Sequence, residues 1–79
     1  MHPHAATTYR RLRGPIVDRI SAAIDSLSRE PRPTGSVKLA GRDDFRIRVG
    51  DYRIVYGVDD SRRLIVVARI AHRRDVYRP

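Results

Sequence analysis

The chain has no cysteine in its 79 residues. No disulfide can therefore brace the fold and no thiolate can hold a metal, a composition that fits a reducing cytoplasm. No apolar run approaches the ~18 residues needed to cross a bilayer. The opening stretch, MHPHAATTYRRLRG, lacks the apolar core of a secretory signal. These absences point to a soluble, cytoplasmic protein with no membrane partner. Several catalytic signatures are also missing: there is no HExxH, no phosphate-binding glycine loop and no serine-nucleophile motif. The length allows one domain, residues 1–79, with a small core that buries roughly 60–65% of the unfolded surface.

Lysine is nearly absent as well. Lys38 is the only one among 17 Lys and Arg, and against nine Asp and Glu the formal charge is +8. Arginine presents a planar fork that matches phosphate and stacks on bases, so the bias points to nucleic acid. A high-GC genome would explain the Arg:Lys ratio, but not the net excess of cations.

Residues 1–8 are weakly patterned and are expected to be poorly ordered. A short helix is expected from about Ala5 to Arg13, closed by Gly14, with Pro15 in the first turn of the next. Ile16, Ile20, Ile24 and Leu27 make one apolar stripe on a helix from about Pro15 to Ser28. Residues 9–29 thus read as a helical hairpin. The segment EPRPTGS, residues 30–36, is a connector.

Residues 37–71 then read as an antiparallel sheet, which makes the class α+β. Phe45, Ile47 and Val49 alternate with Arg46 and Arg48; Tyr52, Ile54, Tyr56 and Val58 alternate with Arg53, Val55 and Gly57; Leu64 to Ile70 is apolar on both parities until Arg69. Gly50-Asp51 suits a two-residue hairpin that pairs Val49 with Tyr52, Ile47 with Ile54 and Phe45 with Tyr56. A loop from Asp59 to Arg63 would pair Val58 with Leu64, Tyr56 with Val66 and Arg53 with Arg69. Together these registers predict a row of Arg48, Arg53 and Arg69, with Arg46 two residues away.

Like charges directly opposite on a sheet oppose folding by roughly 0.2–1 kcal/mol per pair. Such a row makes sense where an anion sits between the side chains. The plainer alternative is that Asp43, Asp44 or Asp51 supplies the counter-charge. Beyond the last strand, residues 72–79 form a basic, aromatic tail. His72 stands there beside Arg73, Arg74, Tyr77 and Arg78, and has the only side-chain type of that cluster that titrates near neutrality. His2 and His4 read as part of a disordered end. Their spacing suits a metal, but nothing nearby offers further ligands. GRDD at 41–44 reads as a turn.

Taken together, GDYRIVYGVDD, a hydrophobic strand and HRRDVYR resemble the RelE toxins of bacterial type II toxin–antitoxin systems, in the RelE/ParE superfamily. The helical hairpin, PRPTGSVKLAG and FRIRV match as well, over about Tyr9 to Arg78. The resemblance implies a RelE-like fold and a ribosome-dependent, metal-independent endoribonuclease, an mRNA interferase without cofactors that cuts messenger RNA in the ribosomal A site. It implies a RelB-type antitoxin as partner, with operator DNA contacted only through the antitoxin complex. The family's catalytic positions fall on Arg46, Arg48, Arg53, Arg73 and Tyr77. Lys38, Arg42, Arg69, Arg74 and Arg78 are expected to contact RNA.

Two departures matter. The best-known members carry lysine where Arg46 and Arg48 stand, and arginine, with a pKa above ~12, is a poor general base. His72 or Tyr77 is therefore expected to supply acid–base function. The family also opens with a strand, which MHPHAATT does not resemble, so that strand is expected to be missing or the start codon to be assigned too late. Two other readings remain at this point: a ParE-like toxin, of the type that inhibits DNA gyrase, and a basic RNA- or ribosome-binding module without catalysis.

Overall fold

The computed structural model describes residues 1–41 and 43–76. Two helices, α1 (Pro3–Arg11) and α2 (Pro15–Arg29), precede β1 (Val37–Lys38), β2 (Asp44–Val49), β3 (Tyr52–Asp59) and β4 (Leu64–His72), and a one-turn helix α3 (Arg73–Val76) follows. The strands form one antiparallel sheet in the order β1-β2-β3-β4. The expected α+β architecture, a helical hairpin on a small antiparallel sheet, is what forms. The sheet has four strands rather than the three read from alternation, because β1 is only two residues long and two residues carry no period.

The chain's start is corrected. Residues 3–8 are helical, since α1 begins at Pro3 and not at Ala5. Proline at the first helical position brings a preset φ and lacks only a hydrogen that would have had no partner. His2 is the cap, and its Nδ1 accepts the His4 N–H at 3.1 Å. The His2 N–H donates to the Val67 carbonyl of β4 at 2.7 Å, and Ala5 is fully buried. Thus α1 is pinned across the outer edge of β4. No strand precedes it among the described residues.

Helix α2 starts and ends close to where its apolar stripe does. Gly14 precedes it with φ 83°, a left-handed conformation that disfavours any side chain. Ile20 and Leu27 pack with Ile54, Tyr56, Val67 and Ile70 of the sheet, and a hydroxyl–hydroxyl bond between Tyr9 and Ser21 ties α1 to α2. Each aliphatic side chain buried this completely stabilises the fold by about 1.5–3 kcal/mol. Tyr56 is fully buried, yet its hydroxyl donates to the Pro31 carbonyl at 2.7 Å and so fastens the connector to the core. Burial raises the Tyr56 phenol above the ordinary tyrosine range. Arg32 holds the same connector down, forking onto Asp60 at 3.0 and 3.2 Å and lying 5.3 Å over the Phe45 ring.

The β2–β3 register is as expected, Val49 opposite Tyr52, Ile47 opposite Ile54 and Phe45 opposite Tyr56. The β3–β4 register is corrected. Asp59 pairs with Leu64, Val58 with Ile65 and Tyr56 with Val67, one residue along from expectation. A one-residue slip turns every side chain to the other face. Leu64 and Val66 are accordingly half exposed, at 50% and 49%, and Val67 is buried at 3%. A bulge at Val55/Tyr56 then takes up Ala68 as an extra residue, so Val55 pairs with Arg69, Ile54 with Ile70, Arg53 with Ala71 and Tyr52 with His72.

Candidate functional site

The face of the sheet carrying Arg46, Arg48, Arg53 and Arg69 is where the charge gathers. The single row expected there is corrected to two. Arg48, Arg53 and Ala71 form one line across three strands, and Arg46, Val55 and Arg69 form the next. Arg46 and Arg69 thus stand two strand spacings apart, about 9.5 Å at the backbone, with only Val55 between them. The bulge decides this. It adds a second one-residue slip to the first, and the two together return Arg69 to the arginine face.

An open cavity of about 660 Å³ lies over these strands. Arg46, Arg53 and Arg69 line it, and Val55, Ala68 and Ala71 contribute apolar surface. Its remaining polar lining comes from His2 and His4, whose rings stack at 5.9 Å between centroids, 14° from parallel. No carboxylate lines it among the described residues. Four carboxylates are engaged elsewhere: Asp25 with Arg29, Asp60 with Arg32, Asp59 with Arg62 and Asp51 with Arg73. Hydrogen bonding from Ser61 holds the Asp59 carboxyl below the usual carboxylate range, and the Arg32 fork does the same for Asp60. Among the described residues, Arg46, Arg48, Arg53 and Arg69 form no ion pair. Several uncompensated guanidinium groups around an apolar floor suit an anion, and their forks match the spacing of phosphate oxygens.

The other expected site residues divide. Arg48 is exposed beside the cavity rather than in it. Arg73 sits at the start of α3, its N–H donating to the Asp51 carbonyl at 2.7 Å and its Nε 3.7 Å from the Asp51 carboxylate. Arg74 is exposed on the same turn. Lys38 pairs with Phe45 and so belongs to the opposite parity from Val37 and Arg46. Arg42, Tyr77 and Arg78 lie outside the described residues.

Strand parity sets His72 apart from Arg46, Arg53 and Arg69. It pairs with Tyr52 on the core-facing side, its ring edge-on to Tyr52 at 5.2 Å, while its Nδ1 accepts the Arg74 N–H at 3.2 Å. It does not line the arginine cavity. The imidazoles that do, His2 and His4, belong to the end expected to be disordered. The signal that places them was His-Pro-His itself, a capping side chain followed by proline at the first helical position.

A sequence profile of the ParE toxins of type II toxin–antitoxin systems (parDE) matches residues 2–77. The chain belongs to this toxin family. It is 40% identical over an 80-residue alignment to Toxin RelG of Mycobacterium tuberculosis (strain ATCC 25618 / H37Rv), covering 91% of this chain and 90% of RelG. Among solved structures, the RelB–RelE antitoxin–toxin complex from Methanococcus jannaschii aligns with TM-score 0.75 and 25% identity, covering 95% of this chain and 91% of that one. The RelBE2 toxin–antitoxin complex from M. tuberculosis aligns with TM-score 0.66 and 30% identity, covering 89% of each chain. The resemblance to RelE toxins drawn from GDYRIVYGVDD and HRRDVYR therefore holds: this is a RelE/ParE-superfamily toxin with the RelE fold.

Proposed function

We propose that this toxin is a ribosome-dependent endoribonuclease that cuts messenger RNA in the ribosomal A site, in the cytoplasm, and that a RelB-type antitoxin restrains it. The observation that carries the reading is the cavity lined by Arg46, Arg53 and Arg69 without a carboxylate among the described residues. Strand cleavage of this kind proceeds by attack of the 2′-oxygen on the adjacent phosphorus, with departure of the 5′-oxygen. Charge builds on the phosphoryl oxygens, and preorganised cations aimed at it are commonly the largest single contribution to catalysis. Arg46 and Arg69 bracket the phosphate from either side of Val55, Arg53 supports it from the neighbouring line, and Arg48 and Arg73 contact flanking phosphates. Tyr77, by family position, stacks on a base next to the cleaved bond. The antitoxin follows from the company of the structural relatives, which were solved as RelB–RelE and RelBE2 complexes.

The ParE profile favours a second reading, inhibition of DNA gyrase. Induction of the toxin in a growing culture separates the two. Codon-level breaks in translated mRNA, mapped by ribosome profiling and relieved by co-expression of a small acidic protein encoded next to the toxin, support the nuclease. DNA-damage signalling without such breaks supports gyrase inhibition. Neither effect leaves a basic binding module.

A further inference from the structure

The three arginines can hold a phosphate and stabilise charge, but none can take a proton from a 2′-hydroxyl, because a guanidinium stays protonated in proteins. Leu39, Val55, Ala68 and Ala71 offer no titratable group. Among the described residues, the lining side chains with a lone pair on nitrogen are His2 and His4. They are also held in place: the His2 N–H bonds to Val67, its Nδ1 caps α1, and α1 is clamped at Ala5. Resting on the nuclease reading above, we propose that His4 is the proton-transfer group of this site and His2 the residue that positions it.

The division of labour follows from the hydrogen bonds. Because His2 Nδ1 accepts the His4 N–H, neutral His2 carries its proton on Nε2, and protonating Nδ1 would break the cap. Its ring is committed to structure, stacked on the ring of His4. His4 also lines the adjoining hollow with Arg11, Tyr52, Arg69 and His72. In the reaction the 2′-hydroxyl proton moves to His4 as the 2′-oxygen bonds to phosphorus. The P–O5′ bond then breaks, and the proton passes from His4 to the departing 5′-oxygen. The products are a 2′,3′-cyclic phosphate and a 5′-hydroxyl, with no net change in protons.

Among the described residues, the charged and titratable groups that share these hollows with His4 are His2 at the cap and Arg11 on α1, Arg46 from β2, Arg53 and Tyr52 from β3, and Arg69 and His72 from β4. No carboxylate lines either hollow among the described residues. A base must be neutral to act, so acid should suppress cleavage by the wild type.

The test is single-turnover cleavage of mRNA on programmed ribosomes by the purified full chain, followed from acid to mildly alkaline pH. His4→Gln should slow cleavage by about 10²–10⁴-fold, flatten the acidic limb and recover partly with added imidazole. His2→Asn, which preserves the cap because asparagine caps helices well, should slow cleavage less and keep the limb. Thermal melts verify that both variants fold. Wild-type chain that leaves ribosome-bound mRNA intact would sink the nuclease reading itself. Active wild type, with a folded His4→Gln that keeps both rate and pH profile, overturns the assignment of His4. So does loss of the limb in His72→Gln instead.

Discussion

Arg48 faces Arg53 directly across β2 and β3, and neither forms an ion pair among the described residues. Replacing Arg48 with Glu removes a like-charge pair and creates an opposite-charge pair at the same position. Cross-strand pair effects run about 0.2–1 kcal/mol each, so the reversal should stabilise the fold by about 1 kcal/mol. For a domain of this size that raises Tm by roughly 4–8 °C. Both partners are solvent-accessible, so the gain should shrink in about 1 M salt, where the Debye length falls to ~3 Å. The same change sets a carboxylate beside the anion site and should slow RNA cleavage. Paired thermal melts at low and high salt, with ribosomal cleavage assays on the same samples, read both effects. An unchanged or lower Tm at low salt would refute the claim that these arginines oppose one another. A more stable variant that cleaves as fast as wild type would refute the claim that this face holds phosphate.

Two further outcomes follow from the packing. Tyr56→Phe removes the hydroxyl that bonds the Pro31 carbonyl and should cost about 0.5–1.5 kcal/mol, seen as a lower urea midpoint with an unchanged m-value. Since burial raises the Tyr56 phenol, its contribution is present in full below the ordinary tyrosine pKa of about 10 and is lost as pH rises through the folded value, so wild type should lose stability more steeply than Tyr56→Phe in strong alkali. Deleting Ala68 should convert β3–β4 to a regular ladder that keeps Val67 opposite Tyr56 and Ile70 opposite Ile54. Arg69 stays opposite Val55 in that ladder, so the variant should keep native circular dichroism and still cleave ribosome-bound mRNA, whereas a misfolded variant would contradict the bulge register.

What could be read before the structure depended on whether a pattern had a period. The stripe from Ile16 to Leu27 and the alternation on either side of Gly50-Asp51 are unambiguous, and α2 and the β2–β3 register followed from them. Leu64 to Val67 is apolar at every position, so parity is not encoded there, and a bulge leaves no mark in composition. Arg69 was nonetheless expected on the correct face, because the slip at Leu64 and the slip at Ala68 cancel. The histidines went the other way. His72 lies close to Arg69 and Arg73 in sequence, yet strand parity turns it to the core side. His2 and His4 stand far from those arginines in sequence, and only the docking of α1 onto β4 brings them over the cavity.

The central claim is that Arg46, Arg53 and Arg69 grip the phosphate that is cut. Single-turnover cleavage of ribosome-bound mRNA by the Arg46→Gln/Arg53→Gln/Arg69→Gln variant tests it most directly, with Arg29→Gln, whose arginine pairs with Asp25 on α2, as control. Hydrogen bonds to charged groups contribute about 1.5–3 kcal/mol each, so the triple variant should lose more than about 10³-fold while the control cuts at the wild-type rate. A folded triple variant that cleaves as fast as wild type would contradict the account.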